Sequence, residues 1–387
     1  MYISEKTPFK IYLPVLRKLM TNVKVPSHIE IEVIERPDYK IERIMHKELK
    51  IKDSETKTAQ KLKTLFYYHG GGMAAGSPKT VPLAFLKEQP DVQVFSVDYR
   101  FAPEVPFPGA INDCIDATRF ILNSSEKYEI GEFSIFGESA GGNLVLATMM
   151  EIDFQKEFGE KPVTAHAAVP MGQMLRFDTP SYMHADNQFE LDRKLCCEFW
   201  LWYSGISLDE TGKVYTRENR ELLKKGLHLD ESIRNDQEFM SRADHEKLLV
   251  LDESTEKFLP ENYKSDKIEK QAEEKSISLK TQFRTNLVEL LKNKLFSPGT
   301  AKDSDLEFVC QNAKNVVISV AEFDVLRDDG IMIANRMKSI GCKNVKLKVF
   351  EGVGHLYMFE SKKNTSMPVG FEVYDKISDE AIALNKF

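Results

Sequence analysis

The stretch Phe133-Ser134-Ile135-Phe136-Gly137-Glu138-Ser139-Ala140-Gly141-Gly142-Asn143-Leu144 constrains the fold more than any other part of the chain. An alternating apolar run enters Gly-x-Ser-x-Gly, and small, helix-compatible residues follow it. A strand that turns sharply into a helix needs room where the two cross, and Gly137 and Gly141 remove the side chains that would collide there. Ser139 would then lift its hydroxyl above the sheet edge from a strained turn. The helix behind it would point N–H groups and the positive end of its dipole at any negative charge forming there. This is the form of a nucleophile elbow. Gly-x-Ser-x-Gly also occurs in ordinary glycine-rich turns, so the rest of the chain decides.

A chain of 387 residues holds one large α/β domain with an insertion, or two ordinary domains. Net charge of −7, with no concentrated basic face, excludes a nucleic-acid protein. The cysteines, Cys114, Cys196, Cys197, Cys310 and Cys342, are scattered and odd in number. Their spacing matches no zinc site, and adjacent Cys196 and Cys197 cannot bridge without strain, so a reducing compartment is expected. The most apolar N-terminal part, Ile11 to Met20, is short and interrupted by Pro14, Arg17 and Lys18. It reads as neither a secretory signal nor an anchor, and no window approaches the roughly 18 apolar residues of a membrane span. A soluble cytoplasmic protein is expected, with peripheral association at a membrane or lipid droplet as the alternative.

The patterning predicts strands at Ile29–Ile34, Ile41–Ile51, Thr64–Tyr68, Val92–Val97, Ala165–Met171, Val316–Val320 and Val345–Phe350. Between them it predicts helices at Ala110–Asn123, Asn143–Phe158, Phe189–Ser204, Thr281–Leu295 and Asp328–Ile340. Strands alternating with helices imply a mainly parallel sheet covered on both faces. Residues 205–294, dominated by Lys, Glu, Asp and Arg, read as an insertion beside the functional edge of that sheet.

A serine on an elbow needs a base, and the base needs an acid to orient it. In the α/β-hydrolase order the acid and then the histidine follow the serine, each at the end of a strand. Asp324 lies directly after the apolar run 316–320, with Glu322, Asp328 and Asp329 as competitors. The last two suit the opening of the next helix, where carboxylates complement the dipole. Of eight histidines only His355 lies beyond Asp324, in the glycine-flanked turn after the last strand. The missing part is a pair of N–H donors for the negative oxygen of a tetrahedral intermediate. His69-Gly70-Gly71-Gly72 supplies it, because glycines let a backbone approach that closely. Gly71, Gly72 and Ala140 are the expected donors, and His69 is expected to brace the loop. The loop lacks the Gly-Lys-Ser/Thr ending of a phosphate-binding loop.

With these residues the chain resembles the hormone-sensitive lipase family of α/β-hydrolases, and within it the arylacetamide deacetylase-like carboxylesterases. The resemblance rests on His69 to Gly72, Asp98-Tyr99-Arg100, Ala102-Pro103-Glu104, Phe107-Pro108, Gly137 to Asn143, Asp324 to Gly330 and Phe258 to Lys264. It implies an α/β-hydrolase fold, with a mainly parallel central sheet flanked by helices. The chain is then a single domain, residues 1–387, with cap contributions from approximately 1–45 and 175–297. It also implies a serine hydrolase using no metal or cofactor and acting on small or medium carboxylic esters, with amides as a second substrate class. Ser139, Asp324 and His355 would form the triad, and Gly71, Gly72 and Ala140 the oxyanion hole. Three departures stand out: no N-terminal anchor, a longer charged insertion, and Leu356-Tyr357 after His355 where the family has a small residue and then Phe. A non-catalytic small-molecule receptor on the same scaffold and an acylglycerol lipase are the rival readings. Trp200, Trp202 and Tyr203 suit an acyl-pocket wall and core packing equally.

Overall fold

The structure is a computed structural model that describes residues 9–21, 23–49, 61–172, 181, 191–205, 289–358, 379–381 and 383–385. Runs of aromatic and β-branched residues form strands because such side chains pack well on a pleated, buried surface. The strands are β1 (Ile29–Glu35), β2 (Lys40–His46), β3 (Leu62–Tyr68), β4 (Val92–Asp98), β5 (Ile130–Glu138), β6 (Thr164–Ala168), β7 (Asn315–Ala321) and β8 (Val345–Phe350). They form one eight-stranded sheet in the order β1-β2-β4-β3-β5-β6-β7-β8. β1–β2 and β2–β4 pair antiparallel and every other pair is parallel. β1 and β2 therefore belong to the sheet, and among the described residues before β1 the one helix, α1 (Phe9–Thr21), stands outside it.

The helices that follow are α2 (Thr80–Glu88), α3 (Gly109–Asn123), α4 (Ala140–Glu151), α5 (Phe154–Phe158), α6 (Arg193–Ser204), α7 (Asp303–Gln311) and α8 (Arg327–Ser339). α4 is buried from Ala140 to Met150, the expected state of a helix apolar on every side. The single helix predicted over Asn143–Phe158 is two. Ile152 is extended, and the Asp153 carboxylate accepts the Lys156 N–H to cap a fresh start. Asn312 plugs the break, donating to the Met149 and Ile152 carbonyls and accepting from the Phe154 N–H. A second correction concerns the thiols: Cys310, on α7, and Cys342, before β8, form a disulfide. A separation of 32 residues gave no sign of it, because the sheet alone brings these two ends together.

The strand order decides where a site sits. β3 and β5 are neighbours, yet the chain leaves β3 toward β4 on one side, and β6 lies on the other. Such a reversal opens a crevice at the carboxyl ends of the strands. The His69–Gly72 loop follows β3 and Ser139 follows β5, so both reach that crevice. Of the predicted cap at 175–297, residue 181, residues 191–205 and residues 289–297 are described. Residues 206–288 of the charged insertion, the predicted helix from Thr281 to residue 288 and the Phe258–Lys264 motif lie outside the described residues.

Candidate active site

β5 delivers Ser139 to a backbone conformation of φ 57° and ψ −118°, which non-glycine residues rarely adopt. The surroundings hold it there. Its N–H donates to the Ala168 carbonyl at 2.8 Å, and its own carbonyl accepts from Met171 at 3.2 Å. A Cβ on Gly137 would stand 2.5 Å from the Gly141 backbone, and one on Gly141 would overlap the Tyr68 carbonyl. The crossing of β5 with α4 thus requires both glycines. Asn143, one turn into α4, donates to the carbonyls of Met171 at 2.7 Å and Phe296 at 3.1 Å.

Ser139, Asp324 and His355 come from the ends of three strands and meet. His355 Nε2 lies 3.1 Å from Ser139 Oγ, and His355 Nδ1 lies 2.8 Å from Asp324 Oδ2. Asp324 is 1% exposed, and its other oxygen accepts the Leu326 N–H at 2.8 Å. With a carboxylate facing Nδ1, the proton belongs there, leaving Nε2 bare toward the serine hydroxyl. The competing acids serve elsewhere. Glu322 accepts the Gly352 N–H at 2.8 Å, while Asp328 accepts from Ser181 and pairs with Arg327 at 2.9 Å. Asp328 and Asp329 do open α8.

The glycine loop lies against the serine. A Cβ on Gly70 would be 3.1 Å from Ser139 Cβ. Gly72 has φ +64°, and a side chain there would run into the Phe199 ring. The Gly71 carbonyl accepts the N–H groups of Ala74 and Ala75, turning the loop back on itself. Ala140 is the first residue of α4, where an N–H has no acceptor within its own helix. His69 is 1% exposed, and burial pushes its imidazole down to about 4. It is therefore neutral, donates from Nδ1 to the Gly70 carbonyl at 2.8 Å and stacks on Tyr99 at 4.1 Å. The Tyr99 hydroxyl donates to the His69 carbonyl at 2.7 Å. On the outer side Arg17 of α1 donates to the carbonyls of Ala74 and Ala102 and pairs with Glu104 at 2.7 Å.

Sequence reading missed Glu138. It is 5% exposed, and one oxygen accepts both the Gly70 N–H and the Tyr67 hydroxyl at 2.8 Å. Burial raises its carboxyl to about 7, against the lowering effect of those two donors. A lone acid inside the apolar run 133–138 was the available signal. Trp200, Trp202 and Tyr203 are buried in the core, with Tyr203 stacked on Phe296 at 5.5 Å. No helix among the described residues is long and apolar enough to cross a membrane.

The family model described as alpha/beta hydrolase fold matches residues 65–218 and 250–359. Neutral cholesterol ester hydrolase 1 of Rattus norvegicus is 28% identical over 321 residues, 81% of this chain and 72% of that protein. Arylacetamide deacetylase of Bos taurus is 27% identical over 309 residues, 78% of this chain and 69% of that one. Among solved structures, a fungal esterase from Rhizomucor miehei superposes with a TM-score of 0.59 at 18% identity, covering 98% of this chain and 92% of its own. The fold and the sequence relationship agree: the chain belongs to the α/β-hydrolase family, among the hormone-sensitive-lipase-like carboxylesterases.

Proposed function

We propose that the protein is a serine carboxylesterase acting on esters of small to medium acyl groups, with the corresponding amides as a secondary substrate class. The observation that carries this reading is the line Ser139 Oγ, His355 imidazole, Asp324 carboxylate, at 3.1 and 2.8 Å. In the reaction Ser139 Oγ attacks the ester carbonyl carbon while His355 Nε2 takes its proton. Asp324 keeps the imidazole in the tautomer that can accept and stabilises the imidazolium that results. The carbonyl oxygen, now negative, takes hydrogen bonds from the Gly71, Gly72 and Ala140 N–H groups. Such donors contribute most where water is excluded. When the C–O bond breaks, the imidazolium gives its proton to the leaving alcohol. Water then repeats the sequence on the acyl-serine, releasing the acid and restoring Ser139.

The relatives support both substrate classes, since one is named for hydrolysing a cholesterol ester and another for removing an acetyl group from an arylacetamide, which is an amide. The test is turnover of aryl esters of increasing acyl length by wild type and Ser139→Ala. The reading predicts turnover in the wild type with an optimum at short to medium acyl chains, and its loss in the variant. A folded wild type that hydrolyses none of the series would refute it and favour the receptor reading. An optimum at the longest acyl chains of the series would favour the lipase.

A further inference from the structure

We infer that a buried hydrogen-bond relay, Asn385–His166–Ser319–Tyr357, holds the loop that carries His355, making Tyr357 and Ser319 positioning residues for that base. The inference rests on His355 acting as the base of the reaction proposed above. The four residues come from the C-terminal segment, the middle of β6, the middle of β7 and the turn after β8, and each is 0% exposed. His166 Nδ1 lies 3.0 Å from Asn385 Oδ1, His166 Nε2 lies 2.6 Å from Ser319 Oγ, and Ser319 Oγ lies 2.8 Å from the Tyr357 hydroxyl.

The chemistry fixes the direction of every bond. Asn385 Oδ1 only accepts, so His166 carries its proton on Nδ1. Burial pushes His166 down to about 4, so the ring is neutral and its Nε2 accepts. Ser319 must then donate to His166, which leaves its oxygen lone pairs for Tyr357. Tyr357 donates to Ser319. No proton along the line is misplaced, and the tyrosine hydroxyl has a single low-energy orientation. Ser319, His166 and Asn385 have the connectivity of a serine–histidine–amide triad. Complete burial keeps substrate from this serine, so its place in the molecule is structural.

Its position gives it a purpose. Ser319 is five residues before Asp324 on the strand that delivers the acid, and Tyr357 is two residues after the base. The other limb of the His355 turn is fastened to the same strand end. Glu322 accepts from Gly352 at 2.8 Å, and the Phe323 N–H donates to the Val353 carbonyl at 3.0 Å. Tyr357 fastens the second limb, so the base is gripped on both sides by the element that carries its acid. Packing alone would be met by phenylalanine, since the Tyr357 ring already rests on Phe350 at 5.1 Å. A hydroxyl in this place adds direction: a fully satisfied buried network specifies one arrangement where apolar contact permits several. This also accounts for the tyrosine that stands at 357 where the family pattern has Phe.

Tyr357→Phe removes the hydroxyl and leaves the ring. In the full-length protein two rates are measured: aryl-ester hydrolysis, and phosphonylation of Ser139 by a fluorophosphonate. In the second, Oγ displaces fluoride from phosphorus as His355 takes the serine proton. The expected result is a fall of about five- to tenfold in kcat and in phosphonylation rate, with KM within about twofold and Tm little changed, because misaligned catalytic groups lose rate rather than affinity. Ser319→Ala should fall by a similar factor, and the double variant no further than the worse single, because both cut the same bond. Ser319→Thr, which keeps the hydroxyl, should restore most of the rate. If Ser319→Ala does not fold, Tyr357→Phe and Ser319→Thr still decide. Unchanged rates in Tyr357→Phe, multiplying losses in the double variant, or a loss that follows Tm would overturn the inference. A wild type that reacts with the fluorophosphonate but cleaves no ester would sink the esterase reading alone, since phosphonylation still reports on the base. A folded wild type that neither cleaves nor reacts would overturn both.

Discussion

Glu138→Gln tests the electrostatics of the elbow directly. In the unfolded chain this carboxyl gives up its proton near its ordinary 4.5, and in the fold it holds it to about 7. Between those values the folded state binds more protons, so raising the pH favours unfolding. The contribution is fully present below 4.5, declines through the interval and is gone above about 7. About two and a half pH units at roughly 1.4 kcal/mol each give about 3 kcal/mol. Glutamine has nearly the same shape and a carbonyl oxygen that accepts the Gly70 N–H and Tyr67 hydroxyl as before, but it does not titrate.

The difference in unfolding free energy, variant minus wild type, should therefore climb by about 3 kcal/mol between pH 4.5 and 8. The steepest slope should approach 1.4 kcal/mol per unit. Urea denaturation at a series of pH values measures it. Tryptophan emission is the natural signal, since both tryptophans, Trp200 and Trp202, are buried. Parallel curves, or a difference that moves by less than about 1 kcal/mol, would refute the argument that burial governs this carboxyl. A difference that falls with pH would mean that the two donors outweigh burial and that Glu138 is anionic throughout.

Asp324→Asn should lower kcat by about 10⁴-fold, because an amide facing Nδ1 favours the tautomer whose Nε2 is protonated and unable to accept; steady-state kinetics with the fold checked by circular dichroism measures it. Gly72→Ala should lower kcat at least about 10²-fold, the scale of losing one oxyanion donor, since a methyl at φ +64° meets the Phe199 ring. Phe199→Ala added to that variant should recover part of the loss, which the same kinetics would show. Reducing the Cys310–Cys342 disulfide, which closes a 32-residue separation, should cost about 2–4 kcal/mol of stability in urea with kcat unchanged. The bond joins elements at the end of the sheet away from Asp324 and His355, so a lost kcat would show coupling that the fold does not provide.

The central strands β3, β4, β5 and β7 were legible because they carry near-continuous apolar runs, as a parallel sheet covered on both faces requires. β3, β4 and β7 fall within one or two residues of their sequence boundaries. The order Ser139, Asp324, His355 was legible because each follows a strand, and the strand ends bring them together. Three things were not. The break at Ile152 depends on Asn312, more than a hundred residues away, so no local window contains it. The Cys310–Cys342 pairing depends on the neighbouring placement of β7 and β8, and Asn344 donating to the Cys310 carbonyl at 2.8 Å belongs to the same junction. Glu138 fills the variable position of Gly-x-Ser-x-Gly, so the motif assigns it no role, although a carboxyl in a buried strand must find donors. Tyr357 stood out as a mismatch to a pattern, and its hydroxyl has a use only once Ser319 is seen beneath it.

The central claim is that Ser139 is acylated during turnover. Protein mixed with an aryl ester, quenched in acid within the first turnovers and digested, should yield the Ser139 peptide heavier by the acyl group. Ser139→Ala should give no adduct, and in the wild type the adduct should vanish as the ester is exhausted. Hydrolysis at full rate with no acyl group on Ser139, or by Ser139→Ala itself, would contradict the account.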